Sequence, residues 1–193
     1  MRYPFLKNNE MSPEQLELAT RYRSSWRNKL PASEGALGGP LDAMIRSPEM
    51  ASRISFLSDY FRNSEVLSTR LVEFIVLVCA RADSSDYEWS AHLPMALAAG
   101  IEREVAEAIG IGALPTGLDA QERSIYELLT ELTSTGAISD AVFERSVAVL
   151  GEQAVIEAVA LSGFYTMIAR ILSAAKVGAP AGGQSLPALQ AKD

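Results

Sequence analysis

One histidine and one cysteine are all that 193 residues offer for imidazole or thiol chemistry. His92 lies four residues after Glu88 in the stretch Ser85-Asp86-Tyr87-Glu88-Trp89-Ser90-Ala91-His92. On a helix this spacing stacks a carboxylate and an imidazole on one face, one turn apart. Imidazole is the side chain best suited to proton transfer near neutral pH. Glu73 is a third candidate. It interrupts the apolar run from Leu71 to Val78, where a carboxylate is costly to bury unless it is paired or protonated. Cys79 stands alone, so no disulfide or dithiol relay can form within the chain. One His and one Cys do not furnish a His/Cys metal site, and neither a metal nor a cofactor is expected.

Each residue also has a plainer reading. Ser85-Asp86-Tyr87-Glu88 matches the S-x-x-E capping box, in which the glutamate closes back on the backbone N–H of Ser85. That role competes with His92 for one carboxylate. A lone histidine is often a satisfied core residue. Glu73 can face solvent between apolar turns, and a thiol on an apolar helix is usually packing. The neighbours favour a site. Pro94, two residues after His92, removes a ladder bond and leaves the Ser90 carbonyl without its usual donor. Tyr87 and Trp89 are expected as aromatic walls beside the imidazole.

The elements that must position these groups read as helices. No stretch alternates polar and apolar residues between hairpin turns. Ser12-Pro13-Glu14-Gln15 is a helix start, followed at helical spacing by Leu16, Ala19, Tyr22, Arg23 and Trp26. A loop with Pro31, Gly35, Gly38, Gly39 and Pro40 leads to a short helix, Leu41 to Arg46. Ser47-Pro48-Glu49 opens another, with Ile54, Leu57, Ser58 and Phe61 as its inner face. Leu67 to Arg81 is the most apolar helix, and Ser85 to Ala99 follows, closed by Gly100 and Ile101. Shorter helices are expected at Glu102 to Ile109, from the Asp119/Glu122 capping pair, and from Ser139 to Gly151. A long one spans about Glu152 to Ala175. The fold class is therefore an all-α bundle of seven to nine helices, centred on Leu67–Arg81 and Ser85–Ala99. One domain, 1–193, is expected, with an N-terminal helical extension of about 1–62. The tail from about 178 to 193, with Pro180, Gly182, Gly183 and Pro187, reads as a flexible arm.

Composition adds bounds. Hydrophobic residues make up 48% and charged residues 21%, as in packed globular proteins. The net charge of −7 and the lack of a Lys/Arg-rich run argue against a nucleic-acid partner. Leu71 to Ala80 is too short to span a bilayer, and the first ten residues carry no apolar signal region. The expectation is a cytoplasmic protein with a small-molecule partner and no membrane partner.

Arg70-Leu71-Val72-Glu73-Phe74-Ile75-Val76-Leu77-Val78-Cys79-Ala80-Arg81, then Tyr87-Glu88-Trp89-Ser90-Ala91-His92 and Ala98-Ala99-Gly100-Ile101, resembles the carboxymuconolactone decarboxylase family, which includes the alkylhydroperoxidase D-like proteins. Gly163-Phe164-Tyr165-Thr166-Met167-Ile168-Ala169-Arg170 resembles the closing helix of the longer members. In the peroxidase branch a helix glutamate precedes C-x-x-C, with a histidine four residues after the second cysteine. Glu73 and His92 match the outer positions, but Ser85 and Glu88 occupy the cysteine positions, so the dithiol relay is absent. The decarboxylase branch is marked by a glutamate four residues before the histidine, as in Glu88 and His92; Glu73 is not a hallmark of that branch. The resemblance implies an alkylhydroperoxidase D-like bundle, assembly as homo-trimers or hexamers, and cofactor-independent loss of CO₂ from a small carboxylated lactone or related unsaturated acid.

That reaction needs an electron sink and a proton delivered to carbon. His92 is the expected donor or shuttle, Glu88 would orient its ring, and Glu73 would be a second acid kept neutral by its apolar helix. Glu88 should raise the His92 pKa and burial should lower it. Arg53, Arg62, Arg70 and Arg81 are candidates to meet an anionic substrate. Three alternatives remain open: a peroxidase-related protein using Cys79 as a single thiol, a non-enzymatic helical module whose Glu/His cluster satisfies itself, and another small-molecule lyase, hydrolase or isomerase on the same scaffold.

Overall fold

The structure, a computed structural model, describes residues 1–24 and 37–190. These residues form nine α-helices and no strand: α1 (Pro13–Ser24), α2 (Pro40–Met44), α3 (Pro48–Arg62), α4 (Thr69–Ala82), α5 (Asp86–Ala98), α6 (Arg103–Ile111), α7 (Ala120–Thr135), α8 (Asp140–Leu150) and α9 (Glu152–Ala175), with a 3₁₀ turn at Asn8–Glu10. Trp26, Pro31 and Gly35, read above as helix and loop, lie outside the described residues.

The chain divides into two compact units. One holds Met1–Tyr60 and Arg170–Gly178; the other holds Phe61–Ala169 and the segment from Ala179. In the first, Ser12 and Gln15 cap α1 reciprocally: the Ser12 N–H donates to Gln15 Oε1 at 2.9 Å, and the Gln15 N–H donates to Ser12 Oγ at 3.3 Å. The Gln15 amide then donates to the Ile45 carbonyl at 3.0 Å. The apolar faces differ from the periodic reading. Leu18 and Ala19 are the buried residues of α1, while Leu16 faces outward. In α3, Ala51 and Ile54 are buried and Leu57 is exposed.

The second unit is built around α4. Every residue from Leu71 to Ala80 is buried, so this helix is apolar on all sides because it is enclosed on all sides. It packs against α5, α6 and α7, and α7 pairs with α8. The turn from α4 to α5 is as short as two helix caps allow. Ser84 takes the left-handed position at φ +50°. Its N–H donates to the Arg81 carbonyl at 3.1 Å, and the Ser85 N–H donates to the Ala80 carbonyl at 2.8 Å, the paired bonds of a Schellman ending. Ser85 is at once the N-cap of α5, its side chain accepting from the Glu88 N–H. The far end of α5 closes as its sequence suggests: Gly100 has φ +92°, and the Ile101 N–H reaches the Ala96 carbonyl at 3.0 Å.

Two links brace this hairpin. The capping pair of α7 forms in both directions between Asp119 and Glu122. The buried Glu122 also accepts from Arg70 Nε at 2.8 Å, and Arg70 donates to the Gly100 carbonyl. Near the other end, Thr166 of α9 donates to Asp83 at 2.7 Å. α9 is long and apolar enough, by length and composition, to cross a bilayer, but 56% of its most apolar window is buried within the protein.

The segment after Gly178 forms no regular element among its described residues, yet it has partners. The Leu186 N–H donates to Asp86 Oδ1 at 2.9 Å, the Gln190 N–H donates to the Ile111 carbonyl at 2.8 Å, and Arg81 donates to the carbonyls of both Pro187 and Gly110. Each bond to the segment uses one of its backbone groups, which leaves no apolar period in the sequence. Gly110 is one of the tight points. A Cβ there would stand 2.9 Å from the Trp89 ring and 3.0 Å from Pro187. Gly110→Ala should therefore lower stability by about 1–3 kcal/mol through overpacking, measured as a shift in the denaturation midpoint at unchanged slope.

Candidate active site

Glu73, Glu88 and His92 meet inside the second unit. The i, i+4 spacing alone could place only Glu88 beside His92; the α4–α5 hairpin brings Glu73 to its other edge. His92 Nδ1 lies 2.7 Å from Glu73 Oε2, and His92 Nε2 lies 3.4 Å from Glu88 Oε2. All three residues are buried, His92 being 5% exposed. The imidazole is thus held between two carboxylates, one bond short and the other long.

This geometry settles which role the Glu88 carboxylate takes. Only half of the capping box forms: Ser85 Oγ accepts from the Glu88 N–H at 3.4 Å. The Ser85 N–H that would have drawn the carboxylate back is already committed to Ala80, in the ending of α4. The carboxylate is left to turn toward His92. It also shows that Glu73 is the closer partner of the ring. Its short bond lets Glu73 orient the ring from the Nδ1 side.

Burial, the largest single influence on His92, pushes its pKa down. The hydrogen bonds and charges of Glu73 and Glu88 together outweigh it and raise the pKa to about 9. His92 is then an imidazolium at neutral pH, and the cluster of one cation and two carboxylates carries a net charge of −1.

One aromatic wall comes from a helix that the spacing did not suggest. Trp89 is buried and lies against Gly110. The ring that meets His92 is Tyr165 of α9, edge-on at 5.1 Å between centroids and 88° between planes. Phe164 and Phe61 continue the aromatic cluster. Tyr165 is the residue that reasoning from spacing missed as a site member. Its one signal was its place in the run Gly163–Arg170, which marked the closing helix without saying what that helix touches.

Cys79 is buried in α4. Burial pushes its thiol pKa up, and the charges of Asp83 and Glu88 push it further, so the thiolate that redox chemistry needs is suppressed. The four arginines separate cleanly. Arg53 pairs with Glu49 on the surface, Arg70 is engaged by Glu122 and Gly100, and Arg81 holds the arm. Arg62 is the one whose positive charge acts on the Tyr165 hydroxyl.

The chain has the alkylhydroperoxidase D core fold, and its second unit holds an imidazole–carboxylate cluster. The sequence matches no protein-family model and no curated protein. Two solved structures are similar in fold. One is a peroxidase-related protein with an alkylhydroperoxidase AhpD core from Ralstonia eutropha, at a TM-score of 0.71 and 12% identity over 90% of this chain and 88% of that one. The other is a protein of unknown function from Agrobacterium tumefaciens, described as an AhpD antioxidant defence protein, at a TM-score of 0.62 and 19% identity over 74% of this chain and 99% of that one.

Proposed function

We propose that the protein is a cofactor-independent acid–base lyase that releases CO₂ from a small carboxylated lactone or related unsaturated acid. The observation that carries this reading is the His92 imidazolium clamped by Glu73 and Glu88. Its Nδ1 is committed to the short bond with Glu73. Nε2, with the longer contact, is the nitrogen that delivers a proton to carbon, and Glu88 holds that proton in line until substrate arrives. General acid–base catalysis by one positioned group of this kind contributes about 10²–10⁴-fold. The net negative cluster also repels a substrate carboxylate placed near it, which favours the departure of neutral CO₂. Assembly into homo-trimers or hexamers and a cytoplasmic place belong to the same proposal.

A peroxidase-related activity is the second reading, favoured by the descriptions of both fold neighbours. It needs a reactive sulfur, and Cys79 is the one thiol in the chain. Assays of the purified protein with carboxylated unsaturated lactones, following CO₂ release, and with an organic hydroperoxide plus a thiol reductant, separate the two. We expect lactone turnover that Cys79→Ser retains within about twofold, as for a volume-conserving change. Hydroperoxide reduction that Cys79→Ser abolishes would reverse the choice.

A further inference from the structure

Removing CO₂ from an unsaturated lactone acid leaves an electron pair that must be held before carbon is protonated. The His92 cluster supplies the proton, but with a net negative charge it cannot hold the electrons. Tyr165 stands where it can. Its ring edge meets His92 at 5.1 Å, and the residue is 7% exposed. Among the described residues no hydrogen bond reaches its hydroxyl. The hydroxyl is not among the fully buried polar atoms left without a partner, so it borders open space and is free to donate to a ligand.

We propose that the Tyr165 hydroxyl is the oxyanion donor of this site, giving its hydrogen bond to the substrate carbonyl oxygen on which charge gathers as CO₂ leaves. The proposal rests on the lyase reading. The bond from the ring carbon to the carboxylate breaks, and its electron pair moves through the conjugated double bond onto the carbonyl oxygen as a dienolate. The dienolate then collapses, its carbon takes the proton from His92 Nε2, and His92 regains a proton from solvent. Nothing is oxidised or reduced. Burial pushes the Tyr165 pKa up, the Arg62 charge pulls against it, and the charges of Glu88, Glu73 and Cys79 push it up again. The net result is a phenol that stays protonated across the working pH range, so it acts as a donor and not as a base. Arg62 lends its positive charge to the same oxygen. A preorganised donor in a water-poor site is worth far more to a developing oxyanion than to a neutral carbonyl.

Tyr165→Phe keeps the ring against His92 and removes one oxygen. For the lactone reaction, kcat should fall about 10²–10³-fold, the usual effect of deleting an oxyanion donor, with KM changed by less than about threefold because the bond strengthens only in the transition state. A second readout needs no turnover. The visible absorbance of 4-nitrophenolate, a planar oxyanion, should shift saturably on binding to the wild-type protein and bind Tyr165→Phe about tenfold more weakly. Equal phenolate affinity in the two proteins, or no saturable binding by the wild type, overturns the donor role. Phenolate binding that depends on Tyr165 without any lactone turnover would keep the donor and sink the lyase reading. Turnover unchanged in Tyr165→Phe would do the reverse.

Discussion

Replacing His92 with glutamine is expected to destabilise the protein by about 3–5 kcal/mol at neutral pH, the range for removing one partner of a buried ion pair. The reason lies in what the substitution leaves behind. Glu73 and Glu88 approach the ring from opposite edges at 2.7 and 3.4 Å; without it, two buried carboxylates face each other with no cation between them. The pH dependence has a definite sign. The folded pKa of His92 is raised from 6.5 to about 9. Its contribution is fully present below 6.5 and disappears as pH rises through about 9. A shift of this size corresponds to roughly 3 kcal/mol. The gap between wild type and His92→Gln should therefore be widest below about pH 6.5. It should close above about pH 9, where wild-type His92 loses its proton. Urea unfolding followed by far-UV circular dichroism across this range measures it. A gap that stays flat with pH contradicts the clamp. Because the substitution threatens the fold, loss of activity in His92→Gln alone is weak evidence for catalysis.

Glu73→Gln is the cleaner probe of chemistry. Glutamine keeps the size and can still accept from Nδ1, so the ring stays in place, but one of the two charges that raise the His92 pKa is gone. The His92 pKa should fall from about 9, and lactone turnover should fall by about 10²–10⁴-fold, the scale of a general acid that has lost its tuning. Glu88→Gln should cost less, since its contact is the longer one. Michaelis kinetics of the two variants over pH checks the order. A larger loss for Glu88→Gln would return the orienting role to Glu88, as the helical spacing by itself suggests.

Those two variants also mark where the sequence was legible. The S-x-x-E pattern and the i, i+4 spacing correctly put Glu88 on one face with His92, because a helix period is local information. The Glu73 contact depends on how α4 ends: Ser84 in a left-handed turn and the Ser85 N–H spent on Ala80. A non-glycine residue in that turn leaves no mark as clear as Gly100 leaves at the end of α5. Helix starts were readable where side chains cap backbone, as at Ser12, Asp119 and Ser139. Which face turns inward was less so: Leu16 and Leu57 have the right type and spacing, yet both are exposed. Tyr165 lies 73 positions from His92 in sequence, and nothing in its own helix points across that distance. The arm is held by Asp86, Ile111 and Arg81 through its own backbone amides and carbonyls, groups that every sequence has.

The account depends on the charge state of one ring, and the chain makes that measurable without ambiguity, because His92 is its only histidine. An NMR pH titration of the imidazole carbon-bound protons in the folded protein should give a pKa of about 9. A midpoint near the ordinary histidine value of about 6.5 would mean that the two carboxylates do not hold a charged ring, and the acid–base proposal would fall with it.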